Sequence, residues 1–206
     1  MKIGIYGGSF SPPHAGHIRL AESFADRMKL DRLLIIPAGV PPHKMIDGGA
    51  DGQMRYEMCK AAFLPVSPDI EVSDFEVFRT DPCYTVDTLR RFSQEGELYM
   101  LCGSDMFLSL EKWRSPEEIF RLAAVVCGTR VDSDETRDAL HTAAERYRDV
   151  FGARCTVMEF EPIEISSTDV REKLRQGERP AGITDGVFEI IQRHGLYGYG
   201  KEGGNG

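Results

Sequence analysis

The segment from Gly7 to His17 has the residues and spacing to bind a phosphate group. It reads Gly-Gly-Ser-Phe-Ser-Pro-Pro-His-Ala-Gly-His, and it lies between an apolar strand-like run and a helical pattern that starts at Ile18. Glycines let the backbone turn tightly and approach a ligand closely. Backbone N–H groups at a helix start attract anions, and His14 and His17 add donors and, when protonated, positive charge. This order of strand, turn and helix predicts a phosphate site.

On these residues alone, other interpretations stay open. The two histidines could be solvated residues at a capped helix start, or zinc ligands. The sequence shows no clear third Cys, His or Glu ligand, and the i,i+3 spacing differs from the i,i+4 spacing of H-E-x-x-H, so we predict no metal ligands on the protein. The glycines form neither G-x-G-x-x-G nor a P-loop, which excludes the two commonest nucleotide fingerprints.

A second segment of this kind, Ile-Ser-Ser-Thr-Asp-Val-Arg, covers residues 165–171. The hydroxyls of Ser166, Ser167 and Thr168 at a helix start could bind a phosphate chain, and Arg171 lies one turn further on. Arginine can bind phosphate oxygens with two N–H groups at once. The same residues also fit an ordinary helix N-cap of the capping-box type.

Two further groups of residues could contact the rest of a nucleotide. A proline-stiffened loop presents His43 and Lys44, which could close over phosphates or could form a solvated turn. Gly103 and Asp105 directly follow an apolar strand-like run, where a carboxylate can bond ribose hydroxyls. Trp113, the only tryptophan, could stack on a flat heterocycle or could be a core or lid aromatic.

Apolar runs alternate with helical patterns along most of the chain. The runs are Ile3–Tyr6, Leu33–Pro37, Ile70–Phe75, Leu98–Cys102, Ala123–Cys127 and Cys155–Phe160. The helical patterns begin at Ile18, Tyr56, Val86, Asp134, Ser166 and Thr184. This alternation predicts an α/β fold, Rossmann-like and doubly wound, with a mainly parallel sheet and C-terminal helices. Such sheets bind ligands outside the carboxyl ends of their strands, which is where the Gly7–His17 segment falls.

Length and composition limit the class of protein. The 206 residues predict a single domain over residues 1–199 and a disordered tail over residues 200–206. A net charge of −8 argues against a nucleic-acid partner but not against a small anionic ligand. The chain has no apolar run long enough to span a membrane, and its five cysteines form no C-x-x-C, so we expect a protein of the reducing cytoplasm. Nothing in the sequence indicates an oligomeric state.

Taken in order along the chain, these segments resemble the signatures of the nucleotidyltransferases that share an H-x-G-H motif with class I aminoacyl-tRNA synthetases. The Pro-Pro-His-Lys loop, Tyr-Thr-Val-Asp-Thr-Leu over residues 84–89, and Trp113 narrow the resemblance to the bacterial nicotinate-nucleotide adenylyltransferase family. The resemblance extends from Ile3 to about Tyr197. One position departs from the family pattern, because Ser11 stands where the family often has aspartate.

The resemblance implies a reaction and a set of site residues. The reaction is transfer of AMP from ATP to nicotinate mononucleotide, giving deamido-NAD and pyrophosphate, with Mg²⁺ carried by ATP. The implied catalytic residues are His14, His17 and Arg171. The implied ATP-binding residues are Gly8, Ser9, His14, His17, Gly103, Asp105, Ser166, Ser167, Thr168 and Arg171. The implied substrate-binding residues are His43, Lys44, Thr85 and Trp113.

Two alternatives to this function stay open on the sequence. One is another nucleotidyltransferase of the same superfamily, such as a phosphopantetheine adenylyltransferase, although a pantetheine arm has no flat ring for Trp113 to stack on. The other is a nucleotide sensor without catalysis, which would be expected to have lost at least one of His14, His17 and Arg171.

Overall fold

The computed structural model describes residues 1–39, 49–129, 133–161 and 163–200. The strands are β1 (Lys2–Gly8), β2 (Arg32–Pro37), β3 (Ile70–Val72), β4 (Glu97–Gly103), β5 (Ala123–Thr129) and β6 (Cys155–Glu159). The helices are α1 (Ala15–Met28), α2 (Gly52–Phe63), α3 (Thr85–Phe92), α4 (Ser104–Ser109), α5 (Pro116–Leu122), α6 (Asp134–Phe151), α7 (Ser167–Arg175) and α8 (Asp185–His194). Short 3₁₀ turns cover Leu110–Lys112 and Leu196–Gly198.

The described strands form a six-stranded sheet in the order β3-β2-β1-β4-β5-β6. Strand β1 runs parallel to β4, β4 to β5, and β5 to β6, with Ile5 beside Met100, Met100 beside Val125, and Val125 beside Cys155. This is the strand order of a doubly wound Rossmann-like sheet, in which the order reverses beside β1. The predicted α/β fold class is therefore confirmed.

The described residues form two compact units. Unit 1 consists of Met1–Gly7, Leu20–Leu34 and Cys83–Pro162, and unit 2 of Gly8–Arg19, Ile35–Pro82 and Ile163–Gly206. The single domain over residues 1–199 stays a prediction, and residues 201–206 of the proposed tail lie outside the described residues. Within the described part of the chain, no helix is long and apolar enough to cross a membrane.

Unit 1 is built on the parallel strands β4, β5 and β6. Every residue of β5 and most of β4 are buried, whereas in β6 only Met158 is buried. Helix α6 is joined to α4 by Tyr147, whose buried hydroxyl donates to the carbonyl of Phe107 at 2.7 Å. In unit 2, α2 and α8 pack closely, since a Cβ atom on Gly186 would lie 3.2 Å from that of Ala61.

Three element boundaries differ from the sequence pattern by three residues or more. Helix α1 starts at Ala15 instead of Ile18, because the carbonyl of His14 already accepts hydrogen bonds from the N–H groups of His17 and Ile18. Helix α2 starts at Gly52, four residues before the predicted Tyr56, because the Asp51 carboxylate caps it by accepting the N–H of Met54 at 2.8 Å.

Strand β3 ends at Val72, whereas the apolar pattern continues to Phe75. The hydroxyl of Ser73 accepts the N–H of Phe75 at 3.2 Å, and Asp74 accepts from Val77. Such local bonds compete with strand pairing, so the chain turns although its side chains would suit a strand. The short helices α4 and α5 have no counterpart in the sequence prediction.

Candidate active site

Unit 2 brings together two of the predicted phosphate-binding segments. We refer to residues 8–14, which run from the last residue of β1 to the residue before α1, as the N-terminal turn. The hydroxyl of Ser167 donates to the carbonyl of Pro12 at 3.3 Å, and Nη1 of Arg171 donates to the carbonyl of Ser11 at 2.9 Å. These bonds span 155 and 160 residues, and they fix the start of α7 against the N-terminal turn.

The start of α7 is also a well-formed helix cap. The hydroxyl of Ser166 accepts the N–H of Asp169 at 3.1 Å and donates to the Asp169 carboxylate at 2.6 Å. The second Asp169 contact replaces the backbone bond of a true capping box. Thr168 is exposed, and its hydroxyl accepts from Nη2 of Arg171 at 3.3 Å. The cap interpretation is correct, and the Ser167 hydroxyl contacts the N-terminal turn.

The two histidines adopt a defined arrangement. Their ring centroids are 3.8 Å apart, and the backbone N–H of His14 donates to Nδ1 of His17 at 3.2 Å. An imidazole nitrogen that accepts a hydrogen bond carries no proton, so the neutral His17 ring must carry its proton on Nε2. His17 therefore presents an N–H donor from Nε2.

Burial keeps both rings neutral. Desolvation lowers the pKa of His14 to about 4, an effect partly opposed by the nearby Asp169 carboxylate. Desolvation, with the neighbouring His14, lowers the pKa of His17 to about 3. At neutral pH the site thus lacks the charge that protonated imidazoles would add, and Arg171 supplies positive charge beside the turn.

Three buried nitrogen atoms in unit 2 lack a hydrogen-bond partner among the described residues. They are Nδ1 of His14, Nε of Arg55 and Nε of Arg171. An unsatisfied buried polar group costs roughly 1–3 kcal/mol, so each of these three atoms requires an explanation. Oxygen-rich anions such as phosphates supply the acceptors that guanidinium N–H groups require.

Two glycines leave room for the histidine rings. A Cβ atom on Gly16 would lie 3.1 Å from both Cε1 and Nδ1 of His14. A Cβ atom on Gly8 would lie 2.9 Å from the ring of Phe10, which itself packs edge-on against His17 with ring centroids 5.2 Å apart. Any side chain at these glycines would therefore displace an imidazole directly or through Phe10.

The lowered pKa values predict a pH-dependent stability. Between pH 6.5 and about 4 the unfolded chain binds protons that the folded chain excludes, so the free energy of unfolding is greatest above pH 6.5 and falls as the pH decreases through this window. For the buried His14 we expect a loss of about 2 kcal/mol between pH 7 and pH 5. Urea denaturation at the two pH values measures it. A His14→Gln variant with an unchanged pH dependence would contradict this account.

Unit 1 contains four other predicted site residues. Gly103 ends β4, and apart from its two neighbours in sequence no described atom lies within 4 Å of the position where its Cβ atom would be. Asp105 is exposed in the first turn of α4. Trp113 is half-buried, and its indole Nε1 donates to the hydroxyl of Ser109 at 3.4 Å.

Thr85 begins α3 and follows Tyr84, and the guanidinium of Arg114 stacks over the Tyr84 ring, 4.4 Å from its centroid. This cation–π contact joins the Thr85 segment to the segment that contains Trp113. His43 and Lys44 lie outside the described residues, so their predicted roles stay predictions.

Sequence reasoning missed two buried residues of unit 2. Arg55 donates to the carbonyl of Ser9 at 3.0 Å, and Tyr197, which is 3% exposed, accepts from the hydroxyl of Ser11 at 3.2 Å. Burial raises the pKa of Tyr197 to about 12, so its hydroxyl stays protonated. Arg55 could have been found from its spacing, because it falls on the apolar stripe of α2 with Met58, Cys59 and Ala62.

The fold and the paired motifs define a nucleotide-binding class of α/β protein. A family model described as cytidylyltransferase-like matches residues 5–173. The chain belongs to this cytidylyltransferase-like family, and within it to the nicotinate-nucleotide adenylyltransferases, as the following relatives show.

Proteins named as probable nicotinate-nucleotide adenylyltransferases in Clostridium perfringens (strain SM101) and Clostridium tetani are 34% and 30% identical to this chain, each match covering 95% of this chain and 98% of the relative. A third, from Thermoanaerobacter, is 32% identical over 99% of this chain and 98% of the relative. The fold is also similar to that of the Plasmodium falciparum nicotinic acid mononucleotide adenylyltransferase complexed with NaAD, with a TM-score of 0.74, 17% identity, and coverage of 98% of this chain and 99% of that one.

Proposed function

We propose that this protein transfers the adenylyl group of ATP to nicotinate mononucleotide, forming deamido-NAD and pyrophosphate in NAD biosynthesis. The observation that carries the proposal is the contact of α7 with the N-terminal turn, which brings the Ser167 hydroxyl and the Arg171 guanidinium to the turn that also contains His14. Relatives that are 30–34% identical over nearly the whole chain support the same reaction.

The chemistry places few demands on the protein. The second pKa of a phosphate monoester is about 6, so the mononucleotide phosphate is already anionic at neutral pH and needs no general base. One of its oxygens attacks the α-phosphorus of ATP, the bond from that phosphorus to the oxygen bridging it to the β-phosphorus breaks, and pyrophosphate leaves with the bonding electrons. Catalysis then consists of positioning the two phosphates and stabilising the charge that develops.

The described donors suit these two tasks. His17 directs its Nε2–H toward a non-bridging oxygen of the α-phosphate, where charge increases in the transition state. Arg171 has five N–H donors, and two of them donate to Ser11 and Thr168. Its remaining N–H groups can bind the β- and γ-phosphates. Gly8 and Ser9 contribute backbone N–H groups.

Magnesium enters as part of the Mg·ATP substrate. The donors of the site are N–H and O–H groups, which suit phosphate oxygens rather than a cation, and the described residues include no cluster of three or more His, Cys, Asp or Glu that could hold a metal ion. Mg²⁺ usually keeps several waters and takes few protein ligands, so polyphosphate oxygens would hold it. When bound there it neutralises the leaving pyrophosphate.

The residues of unit 1 are assigned to the nucleoside and pyridine parts of the substrates. Gly103 and Asp105 contact the adenosine, with the exposed Asp105 carboxylate accepting from ribose hydroxyls. Trp113 stacks on the pyridine ring, and the backbone at Thr85 donates to the pyridine carboxylate. Lys44 and His43 bind phosphate of the mononucleotide or the pyrophosphate.

The five free thiols support a reducing cytoplasmic location for the reaction.

Replacement of Trp113 by alanine tests the pyridine assignment. We expect the KM for nicotinate mononucleotide to rise at least about tenfold, because stacking of a base on an aromatic side chain contributes about 1–3 kcal/mol. The KM for Mg·ATP should stay within twofold. Steady-state kinetics with each substrate varied in turn gives both values, and Trp113→Phe serves as the control because it keeps a flat ring. Equal changes in the two KM values would refute the stacking role.

The proposed function is tested by pyrophosphate release from Mg·ATP in three parallel reactions. The acceptors are nicotinate mononucleotide, nicotinamide mononucleotide and phosphopantetheine. We expect the highest kcat/KM with nicotinate mononucleotide. Release with phosphopantetheine alone would identify a different transferase of the superfamily, and ATP binding without release in any reaction would indicate a nucleotide sensor.

A further inference from the structure

Arg55 is a charged residue in an apolar environment. It lies in the first turn of α2 and is 1% exposed, and its neighbours on the same helix face, Met58 and Cys59, are fully buried. Among the described residues, no carboxylate lies within ion-pair distance of its guanidinium, although Asp51 and Glu76 act on it electrostatically. Burying a charge without a close counter-ion costs several kcal/mol of folding free energy. Packing alone therefore does not explain an arginine at this position.

The guanidinium is used to hold backbone carbonyls. Nη1 donates to the carbonyl of Ser9 at 3.0 Å, and Nη2 donates to the carbonyl of Gly39 at 3.3 Å. Ser9 belongs to the N-terminal turn, and Gly39 follows β2. A second bond joins the same two segments, because the N–H of Ala38 donates to the carbonyl of Gly8 at 2.9 Å. Arg55 therefore fastens the N-terminal turn to the end of β2.

The other side of the turn is fastened in the same way by α7. The carbonyls of Ser11 and Pro12 accept from Arg171 and Ser167, as described above. Four carbonyls of one short turn thus face donors that come from outside the turn. A carbonyl oxygen carries partial negative charge and would repel a polyphosphate, so these bonds keep an unfavourable dipole away from an anion.

Holding a carbonyl also fixes the N–H group of the same peptide. The peptide unit is planar and trans, so its N–H points in the direction opposite to its carbonyl. With the Gly8 and Ser9 carbonyls directed to Ala38 and Arg55, the N–H groups of Ser9 and Phe10 point away from those partners. The side chain of Phe10 in turn packs edge-on against His17.

We propose that Arg55 is a positioning residue for adenylyl transfer, which holds the Ser9 carbonyl so that the N-terminal turn presents its N–H groups and His17 to the triphosphate of ATP. This inference rests on the proposed function. Arg55 acts through the turn and is not assigned a contact with either substrate.

The test compares Arg55→Lys with Met58→Ala. Lysine keeps the charge but cannot hold two carbonyls in a fixed fork. Met58 is fully buried one turn further along α2, so its truncation destabilises the same helix and supplies the matched control. For Arg55→Lys we expect the KM for Mg·ATP to rise at least about tenfold, the scale of one lost charge-assisted hydrogen bond, and the KM for nicotinate mononucleotide to stay within twofold. For Met58→Ala we expect a lower Tm with both KM values within twofold.

A rescue experiment distinguishes a positioning role of Arg55 from a purely structural one. Arg55→Ala leaves a space of guanidinium shape, and millimolar guanidinium chloride should restore part of the lost kcat/KM for Mg·ATP in this variant but not in Met58→Ala. Where the lysine variant does not fold, Arg55→Gln, which keeps an N–H donor without the charge, replaces it.

Two outcomes would overturn the proposal. One is an equal rise of both KM values in the Arg55 variants. The other is the same kinetic change in Met58→Ala at a matched loss of Tm. If the wild-type protein releases no pyrophosphate with nicotinate mononucleotide, the proposed function fails, and the Kd for Mg·ATP in the same variants then decides the role of Arg55 separately.

Discussion

Replacement of His17 by alanine will lower kcat at least about 100-fold, the scale of losing one preorganised donor to a developing oxyanion. The expectation rests on the bond from the His14 N–H to Nδ1 of His17, which fixes the proton on Nε2. It also rests on the lowered pKa of His17, which keeps the ring neutral and the bond intact at neutral pH. Because the donor acts mainly in the transition state, kcat should fall more than either KM rises.

Two further variants make this result specific. His17→Gln can place an amide N–H near the position of Nε2, so we expect it to retain more activity than the alanine variant. His141 is exposed on α6, and His141→Ala should leave kcat unchanged. Pyrophosphate release at saturating substrate gives kcat for each variant, and a folded His17→Ala enzyme with nearly normal kcat would refute the assigned role.

Arg171→Ala will lower kcat/KM for Mg·ATP by roughly 100-fold or more, since hydrogen bonds to charged groups contribute about 1.5–3 kcal/mol each and more than one is lost. The substitution removes N–H donors for the polyphosphate and, at the same time, the bond to the Ser11 carbonyl. Arg171→Lys should recover little, because an ammonium group cannot bind a carbonyl and a phosphate with one planar fork.

The control for Arg171 lies one turn further along the same helix. Arg175 is exposed and pairs with Glu172 at 2.8 Å, so Arg175→Ala removes a positive charge from α7 at a neighbouring surface position. Steady-state kinetics with Mg·ATP varied should show less than a twofold change for Arg175→Ala. A similar loss in both variants would mean that α7 attracts ATP through its general charge and not through Arg171.

Much of the fold follows from local patterns in the sequence. The buried strands have apolar side chains bounded by turn residues, so β1, β2, β4 and β5 could be placed within two residues at each end. The caps at Ser166 and Thr184 are equally local, since each side chain accepts an N–H three residues further on. The predicted boundary was wrong where hydrogen bonds of a polar side chain outweighed the apolar pattern, as those of Ser73 do at the end of β3.

The residues proposed for the chemistry could be predicted from the sequence, but the hydrogen bonds that hold them in place could not. The histidine pair and the Ser-Ser-Thr segment are recognisable because the function proposed for them requires particular residue types at fixed local spacing. The bonds from Arg55 to Ser9 and from Arg171 to Ser11 join residues 46 and 160 positions apart and end on backbone carbonyls, which every residue has. No residue type marks such an acceptor. The proton position of His17 likewise depends on a three-dimensional contact.

The bond between Ser11 and Tyr197 joins residues 186 positions apart in the sequence. Protein synthesis therefore separates the parts of this site in time, because His14 and His17 are made before α7 and Tyr197. A nascent chain carries both histidines long before it carries the donors that shape their turn. A polypeptide that ended before Ser166 would keep the H-x-G-H signature but lack Ser167 and Arg171, two of the donors proposed to bind ATP.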